Sequence, residues 1–463
     1  MASMRHELRV ISRLSGPVVL TQLGMMMIGV VDTLMVSRLG VTELAGSALG
    51  NMWQWMWMSG ALDIVMGIDP LISQAHGRGD GPGTALALQR GLVLAVLVSL
   101  PVCVLLALTR PGLVLLGQEV EIAERAARYN LLKLPTVPGS LIYAALRQYL
   151  QGRTLMAPAT WVMWLGNAVN AVLNWGLIFG NLGMPALGLE GAAIASSITS
   201  VLLVIGLVAW IRLFRLSAGA WRPWDRESSS ARGLLQVVRL GLPVGAQIAL
   251  EGWAFAISTL MAGWLGRQWV GSHQIVHNLV ALSFMVPLGI SQGAATRVGN
   301  LIGAGDEVRM RAATKAALLL GGGVMLISAT LFTTLRFALP RLYTDDPKLV
   351  SLAATILPIA AAFQLSDGTQ VVAGGLLRGM GRPDAAAYVN LFGYYVVALP
   401  LAYFFGFVRG YGLPGVWACL AAGLTVVALA LLVWVRRTAL RPLADLRVAA
   451  DSGLQGAGAA SGQ

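Results

Sequence analysis

Apolar residues run through this chain in long blocks, with neither the alternation of a half-exposed strand nor the single stripe of a surface helix. A helix needs about 20 mostly apolar residues to cross a bilayer. By that measure the blocks predict twelve spans, at 14–37, 44–70, 90–109, 130–150, 159–180 and 188–211, then at 236–264, 270–296, 313–335, 350–376, 386–408 and 412–435. Between the sixth and seventh lies the one long polar connector, with Arg212, Arg215, Arg222, Arg226 and Arg232 beside Trp221, Pro223 and Trp224. The pattern predicts an all-α polytopic membrane protein with a short N-terminus (1–13), an N-terminal six-helix bundle (14–211), a linker (212–235), a C-terminal six-helix bundle (236–435) and a tail (436–463). The first apolar run is too long for a signal-peptide core and no small-residue cleavage site follows it, so it is expected to remain as a span. The end of the tail, Asp451 to Gln463, is small and polar and is expected to be disordered.

The two halves match each other. Asp32 to Gly40 aligns with Ser258 to Gly266 at an offset of 226, with five of nine residues identical. The same offset places Arg13, Leu14 and Pro17 on Arg239, Leu240 and Pro243, and Gly67, Gly77, Gly79 and Asp80 on Gly293, Gly303, Gly305 and Asp306. Several matches at one offset indicate a duplication. Each half has an even number of spans, so the copies share one orientation and are expected to be related by a pseudo-two-fold axis along the membrane normal, an architecture of transporters.

Composition agrees with the pattern. The chain is 56% hydrophobic and 12% charged, with a mean hydropathy of +0.71, against about 25% charged residues in soluble proteins. That excludes a soluble globular enzyme and a disordered chain. The net charge of +12 does not call for nucleic acid, because its distribution is a topology signal. With the N-terminus inside, 23 of the 33 Lys and Arg fall on the cytoplasmic side, while the opposite side carries the acidic stretch Glu119, Glu121 and Glu124. The positive-inside rule then places both termini in the cytoplasm. Cys103 and Cys419 both lie in apolar runs, so no disulfide framework is expected.

Five acids fall within the apolar blocks: Asp32, Asp63, Asp69, Glu251 and Asp367. A carboxylate at mid-membrane costs about 2.5–3.5 kcal/mol or more and normally handles an ion or substrate. Asp69, followed by Pro70 at a span end, is expected to reach the interface, and Asp63 can be read either way. Asp32, Glu251 and Asp367 are the functional candidates. No Lys or Arg lies near them along their own helices, so their positive partner is expected to be a visiting ion. Asn167, Asn170 and Asn174 share one helix face, which must look into the protein, either as interhelical glue or as cation ligands supporting Asp32. Trp53 and Trp57, one turn apart among Met52, Met56 and Met58, can form a surface for varied or cationic cargo or an interfacial belt. His273 and His277 lack a third ligand and an HExxH motif. There is no phosphate loop and no soluble domain to hydrolyse ATP, so an ion gradient or the substrate's own gradient must supply the energy.

Taken in order, Pro17, Val31-Asp32-Thr33, the run Ser73 to Gly77, the run Gly191 to Ser196, Glu251, the run Ser272 to Ile275, Asp367 and the run Leu377 to Gly379 resemble the multidrug and toxic compound extrusion (MATE) family, in its NorM-like branch. The resemblance covers roughly residues 8–440. It implies a V-shaped pair of bundles that exports cationic or amphipathic organic compounds in exchange for Na⁺ or H⁺. It also implies cation coupling at Asp32, Glu251 and Asp367; with the residues read above, Asn170 and Asn174 are expected to support the coupling, and Asp32, Trp53, Met56, Trp57 and Phe363 to contact substrate. Glu251 and Asp367 are the implied Na⁺ ligands. Two departures stand out: Phe363 replaces a tyrosine found in some relatives one turn before the C-half aspartate, and Asn174 replaces an acid found in others. No cofactor other than the coupling ion is expected. The expected partners are small organic cations and the lipid bilayer, and the protein is expected to be a monomer in a bacterial inner membrane. Two other readings make demands of their own. A flippase of lipid-linked saccharides would need a cationic cavity, and a membrane-embedded enzyme would need a catalytic constellation; neither is found.

Overall fold

The computed structural model describes residues 2–448, with side chains from Met4 onward, and all regular structure among them is helical. The first half comprises α1 (Ala2–Val36), α2 (Val41–Val65), α3 (Asp69–Gly77), α4 (Gly81–Ala107), α5 (Thr109–Leu115), α6 (Val120–Leu132), α7 (Thr136–Gly152), α8 (Ala157–Phe179) and α9 (Leu189–Leu213). The second comprises α10 (Ala231–Leu265), α11 (Arg267–Ala304), α12 (Glu307–Thr334), α13 (Ala338–Arg341), α14 (Pro347–Gly379), α15 (Asp384–Leu391), α16 (Leu399–Tyr403), α17 (Gly412–Ala439) and a short α18 (Leu443–Leu446). A π-helical turn, Phe392–Ala398, joins α15 to α16, and a second, Phe404–Val408, extends α16, so that all four form one helical span. Ten helices among the described residues are long and apolar enough to cross a membrane. The other two blocks, 44–70 and 130–150, are helical as α2 and as the α6–α7 pair. The tail from Asp451 lies outside the described residues.

The duplication reaches the backbone. Gly40 and Gly266 hold φ of 124° and 115°, and Gly79 and Gly305 hold 72° and 79°, a region that favours glycine. Asp80 and Asp306 follow and cap α4 and α12 by accepting from the backbone N–H of Gly83 and Arg309, which satisfies a donor that a helix start leaves free. Thr33 and Thr259 each donate to the carbonyl four residues back, on Gly29 and Phe255.

The chain forms two compact units, and the dividing points fall inside α1 and α10. One unit holds the chain up to Val19 together with Ala246–Arg447; the other holds Leu20–Gly245 and Val448. The two dividing points, after residues 19 and 245, are themselves 226 residues apart. Each follows a proline, Pro17 or Pro243, inside a 35-residue helix. Ile11 is fully buried in the core built from residues of the second half, and Val237, its counterpart at the same offset, is fully buried in the first-half core. Close approach makes these packings possible. A Cβ on Gly67 would lie 2.2 Å from the Val237 carbonyl oxygen, and a Cβ on Gly293 would lie 2.6 Å from Ser15 Oγ.

The repeats differ where α6 gives way to α7, because α14 runs unbroken through the equivalent region. Pro135 has no N–H to continue the helix. The freed carbonyls find other donors: Ser197 Oγ bonds the Leu132 oxygen at 2.6 Å, and Thr136 bonds the Lys133 oxygen through Oγ1 at 2.6 Å and through its N–H at 2.9 Å. Backbone carbonyls released at such a break need partners of this kind.

Candidate functional sites

In the unit holding most of the first half, Asp32 on α1 is 6% exposed. Its Oδ1 accepts from Asn174 Nδ2 at 2.5 Å and its Oδ2 accepts from Ser196 Oγ at 2.8 Å. Asn174 also donates to Asn170 Oδ1 at 3.1 Å. The i, i+4 spacing on α8 therefore does what the sequence suggested and turns two amides toward the carboxylate. Asn167, one turn earlier, donates instead to the carbonyls of Gly24 and Met163 at 2.9 and 3.0 Å. The asparagine face is thus divided: Asn167 ties α8 to α1, while Asn170 and Asn174 serve Asp32. Ser196 ends the Gly191-to-Ser196 run and completes the site, a role that motif did not reveal.

No Lys or Arg lies on the helix of Asp32 near it, but a lysine from elsewhere in the chain, Lys133, acts on it. This lysine lies just past the end of α6 and is 7% exposed. Its ammonium donates to Asn51 Oδ1 at 2.9 Å and to the Tyr129 hydroxyl at 3.4 Å, and sits 4.7 Å from the centre of the Tyr129 ring. Lys133 and Asp32 act on each other electrostatically without being in contact. The sequence hid this because the two residues are 101 positions apart in a chain with no other link between them.

In the other unit, Glu251 on α10 is half-buried and Asp367 on α14 is 2% exposed. Their charges also act on each other, a repulsion in a low-dielectric interior that a cation or proton between them relieves. Gln370, one turn past Asp367 and fully buried, donates to Glu251 Oε2 at 3.0 Å and accepts from the Tyr394 hydroxyl at 3.5 Å. Tyr394 lies in the first π turn, and π turns often mark functional positions in helices. A phenol from another helix is thus linked to Glu251 through Gln370. Neither Gln370 nor Tyr394 was singled out in the sequence, where only the i, i+3 spacing from Asp367 pointed to the glutamine.

Two expected substrate contacts are corrected. Phe363 is fully buried, with its ring edge-on to Phe255 and Trp417 at 5.8 and 5.9 Å, and belongs to the core. Trp53 is 7% exposed, donates from Nε1 to the Leu105 carbonyl at 2.9 Å and packs over Gly112. Trp57 is half-buried and meets Trp53 edge-on at 5.8 Å, whereas Met56 is exposed. Asp69, expected at an interface, is fully buried. His273 and His277 stack at 6.0 Å; Trp417 Nε1 donates to His273 Nδ1 at 3.2 Å, and Thr259 lies 3.0 Å from Nε2. These contacts account for His273 as a core residue. No group of three or more His, Cys, Asp and Glu able to hold a metal occurs among the described residues.

A family model described as MatE matches residues 17–176 and again 243–404, one match in each repeat. The chain belongs to the MatE family. A probable multidrug resistance protein NorM of Mesorhizobium japonicum is similar to this MatE protein, 33% identical over 95% of this chain and 96% of that one. Multidrug and toxin extrusion protein 1 of Danio rerio is 30% identical over 89% of this chain and 69% of its own length. Among solved structures, the eukaryotic MATE transporter AtDTX14 superposes with a TM-score of 0.86 at 22% identity, covering 96% of this chain and 100% of that one. The Vibrio cholerae MATE transporter VcmN, in its bent form, gives a TM-score of 0.84 at 18% identity over 95% and 98%. The fold of this MatE chain is therefore that of MATE transporters.

Proposed function

We propose that this protein is a secondary active exporter that exchanges cationic or amphipathic organic compounds for Na⁺ or H⁺ by alternating access. The observation that carries the reading is the placing of carboxylates within each unit. Asp32 is held by Asn174 and Ser196, and Glu251 is held by Gln370 with Asp367 acting on it. Acids within membrane-spanning helices are costly and normally serve an ion or substrate. The multidrug names of the relatives support the cargo class. An exchanger needs a site that ion and cargo cannot both use, and a carboxylate serves because an arriving ion neutralises the charge that attracts an organic cation. The C-half acids, with an amide beside them, suit Na⁺, a hard cation that prefers oxygen ligands. Asp32 offers a parallel route by proton uptake. In this reading the protein works as a monomer in a bacterial inner membrane with both termini in the cytoplasm, and its partners are organic cations and lipid.

Counterflow of an organic cation in proteoliposomes, with and without Na⁺ and a pH gradient, tests the proposal. Glu251→Gln or Asp367→Asn should each abolish coupled export at normal protein levels, and full export by either would overturn the assignment. External Na⁺ at constant pH should accelerate efflux from loaded vesicles, and Asp367→Asn should remove that acceleration. Efflux driven by a pH gradient alone, with no response to Na⁺, would exclude Na⁺ coupling.

A further inference from the structure

The α6–α7 break leaves a buried ammonium whose charge acts on Asp32, and nothing about transport of an organic cation requires one there. We propose that Lys133 is a tethered counter-cation that competes with the transported cation for Asp32 and so sets how readily the site releases its cargo. The inference rests on the exporter reading above.

Three observations carry it. First, the lysine is buried yet has no carboxylate within ion-pair distance among the described residues; its hydrogen bonds go to the neutral acceptors Asn51 and Tyr129. A buried charge needs compensation, and Asp32 is the acid whose field reaches it. Secondly, the two groups are placed by one element. Consecutive residues of α9, Ser196 and Ser197, bond Asp32 Oδ2 at 2.8 Å and the Leu132 carbonyl at 2.6 Å, so one helix turn ties both the carboxylate and the end of α6, while Asn51 and Tyr129 bind the ammonium. Thirdly, the other repeat lacks the device. The C-half acids have Gln370 and Tyr394 around them, and α14 has no break at the equivalent place.

A monocation that binds Asp32 does so against the ammonium's field, which weakens its hold and favours its departure. A neutral molecule feels no such opposition. Lys133 is a positioning residue in this scheme, since it acts through Asp32 rather than on the cargo. A lysine that served only to satisfy the carbonyls at the end of α6 would affect stability without distinguishing charged from uncharged cargo.

The test compares tetraphenylphosphonium, a permanent monocation, with the uncharged triphenylphosphine oxide, using binding to the purified full-length protein and counterflow in proteoliposomes. Lys133→Met should tighten tetraphenylphosphonium binding about tenfold, the scale of one unit charge removed several ångströms away in a partly screened interior. KM and kcat for the cation should fall together, whereas the affinity for the phosphine oxide should stay within about twofold. In an Asp32→Asn background the same substitution should leave cation affinity unchanged. Lys133→Gln, which retains a donor for Asn51, provides a second variant if the methionine protein folds poorly, and the same tightening is expected of it. Unchanged cation affinity, an equal shift for the uncharged compound, or a shift that persists without Asp32 would each overturn the inference and leave the exporter reading standing. A wild-type protein that neither binds nor moves tetraphenylphosphonium would overturn the exporter reading itself, and this inference with it.

Discussion

Glu7 is an acid in an otherwise basic leader, and the structure buries it completely. Arg297 on α11 grips it twice, from Nε at 2.7 Å and Nη2 at 2.8 Å, and Arg309 on α12 adds a third bond from Nε at 3.0 Å. Glu7→Gln keeps the shape and removes the charge, leaving two guanidinium groups facing a neutral amide. Breaking a buried pair from one side costs about 3–5 kcal/mol. The Arg309 side chain is 41% exposed, so solvent screens its share to about 1 kcal/mol or less. The Arg297 side chain is 15% exposed and carries most of the effect. The expected loss is therefore about 3 kcal/mol, roughly a hundredfold in the unfolding equilibrium. Unfolding in mixed micelles of increasing sodium dodecyl sulfate content measures it, with fluorescence of the 14 Trp as the signal. Arg297→Gln should cost nearly as much and Arg309→Gln clearly less. The double variant Glu7→Gln/Arg297→Gln should be little worse than either single change, a coupling of about 2 kcal/mol. Additive single effects, or a Glu7→Gln protein within about 0.5 kcal/mol of the parent, would refute the reasoning.

Two further outcomes follow from the geometry. Asp32→Asn keeps an acceptor for Asn174 but cannot take up a proton, so transport should lose its response to external acidification; an unaltered pH profile in vesicles would count against proton uptake at Asp32. A Cβ at Gly67 would sit 2.2 Å from a backbone oxygen, whereas one at Gly60 meets nothing within 4 Å. Gly67→Ala should therefore destabilise by about 2 kcal/mol or more, and Gly60→Ala should stabilise by up to about 1 kcal/mol, both read by the same micelle titration; equal effects would contradict the packing described.

The spans were legible because bilayer thickness imposes a run length that composition cannot hide. The repeat was legible because glycines at positive φ and capping aspartates tolerate few substitutes, so Gly40, Gly79 and Asp80 reappear as Gly266, Gly305 and Asp306. The three principal acids and the amides of Asn170 and Asn174 stood out because their burial in lipid is expensive. Lys133, Ser196, Gln370 and Tyr394 did not, since each is recruited by contacts between helices far apart in the chain. Trp53 and Phe363 misled for the opposite reason: an aromatic residue near a candidate site has the same one-letter appearance whether it faces a ligand or fills a core. Glu7 reads in sequence as a solvated charge near the N-terminus, and only tertiary packing shows it held by arginines 290 and 302 positions away.

The dividing points inside α1 and α10 have a consequence for any attempt to take the molecule apart. The connector 212–235 is the obvious place to cut, yet neither fragment made there would own a complete core. The first would lack the stretch around Val237 that fills its interior, and the second would lack the stretch around Ile11. Each half is finished by the opening turns of the other, so the architecture is a reciprocal exchange within a single chain. An unfused ancestor built on the same plan would have been an obligate pair of identical subunits trading helix ends. Joining the copies replaced a concentration-dependent association by a covalent one, and left each repeat free to diverge, one towards a broken helix with a lysine and the other towards a paired acid site.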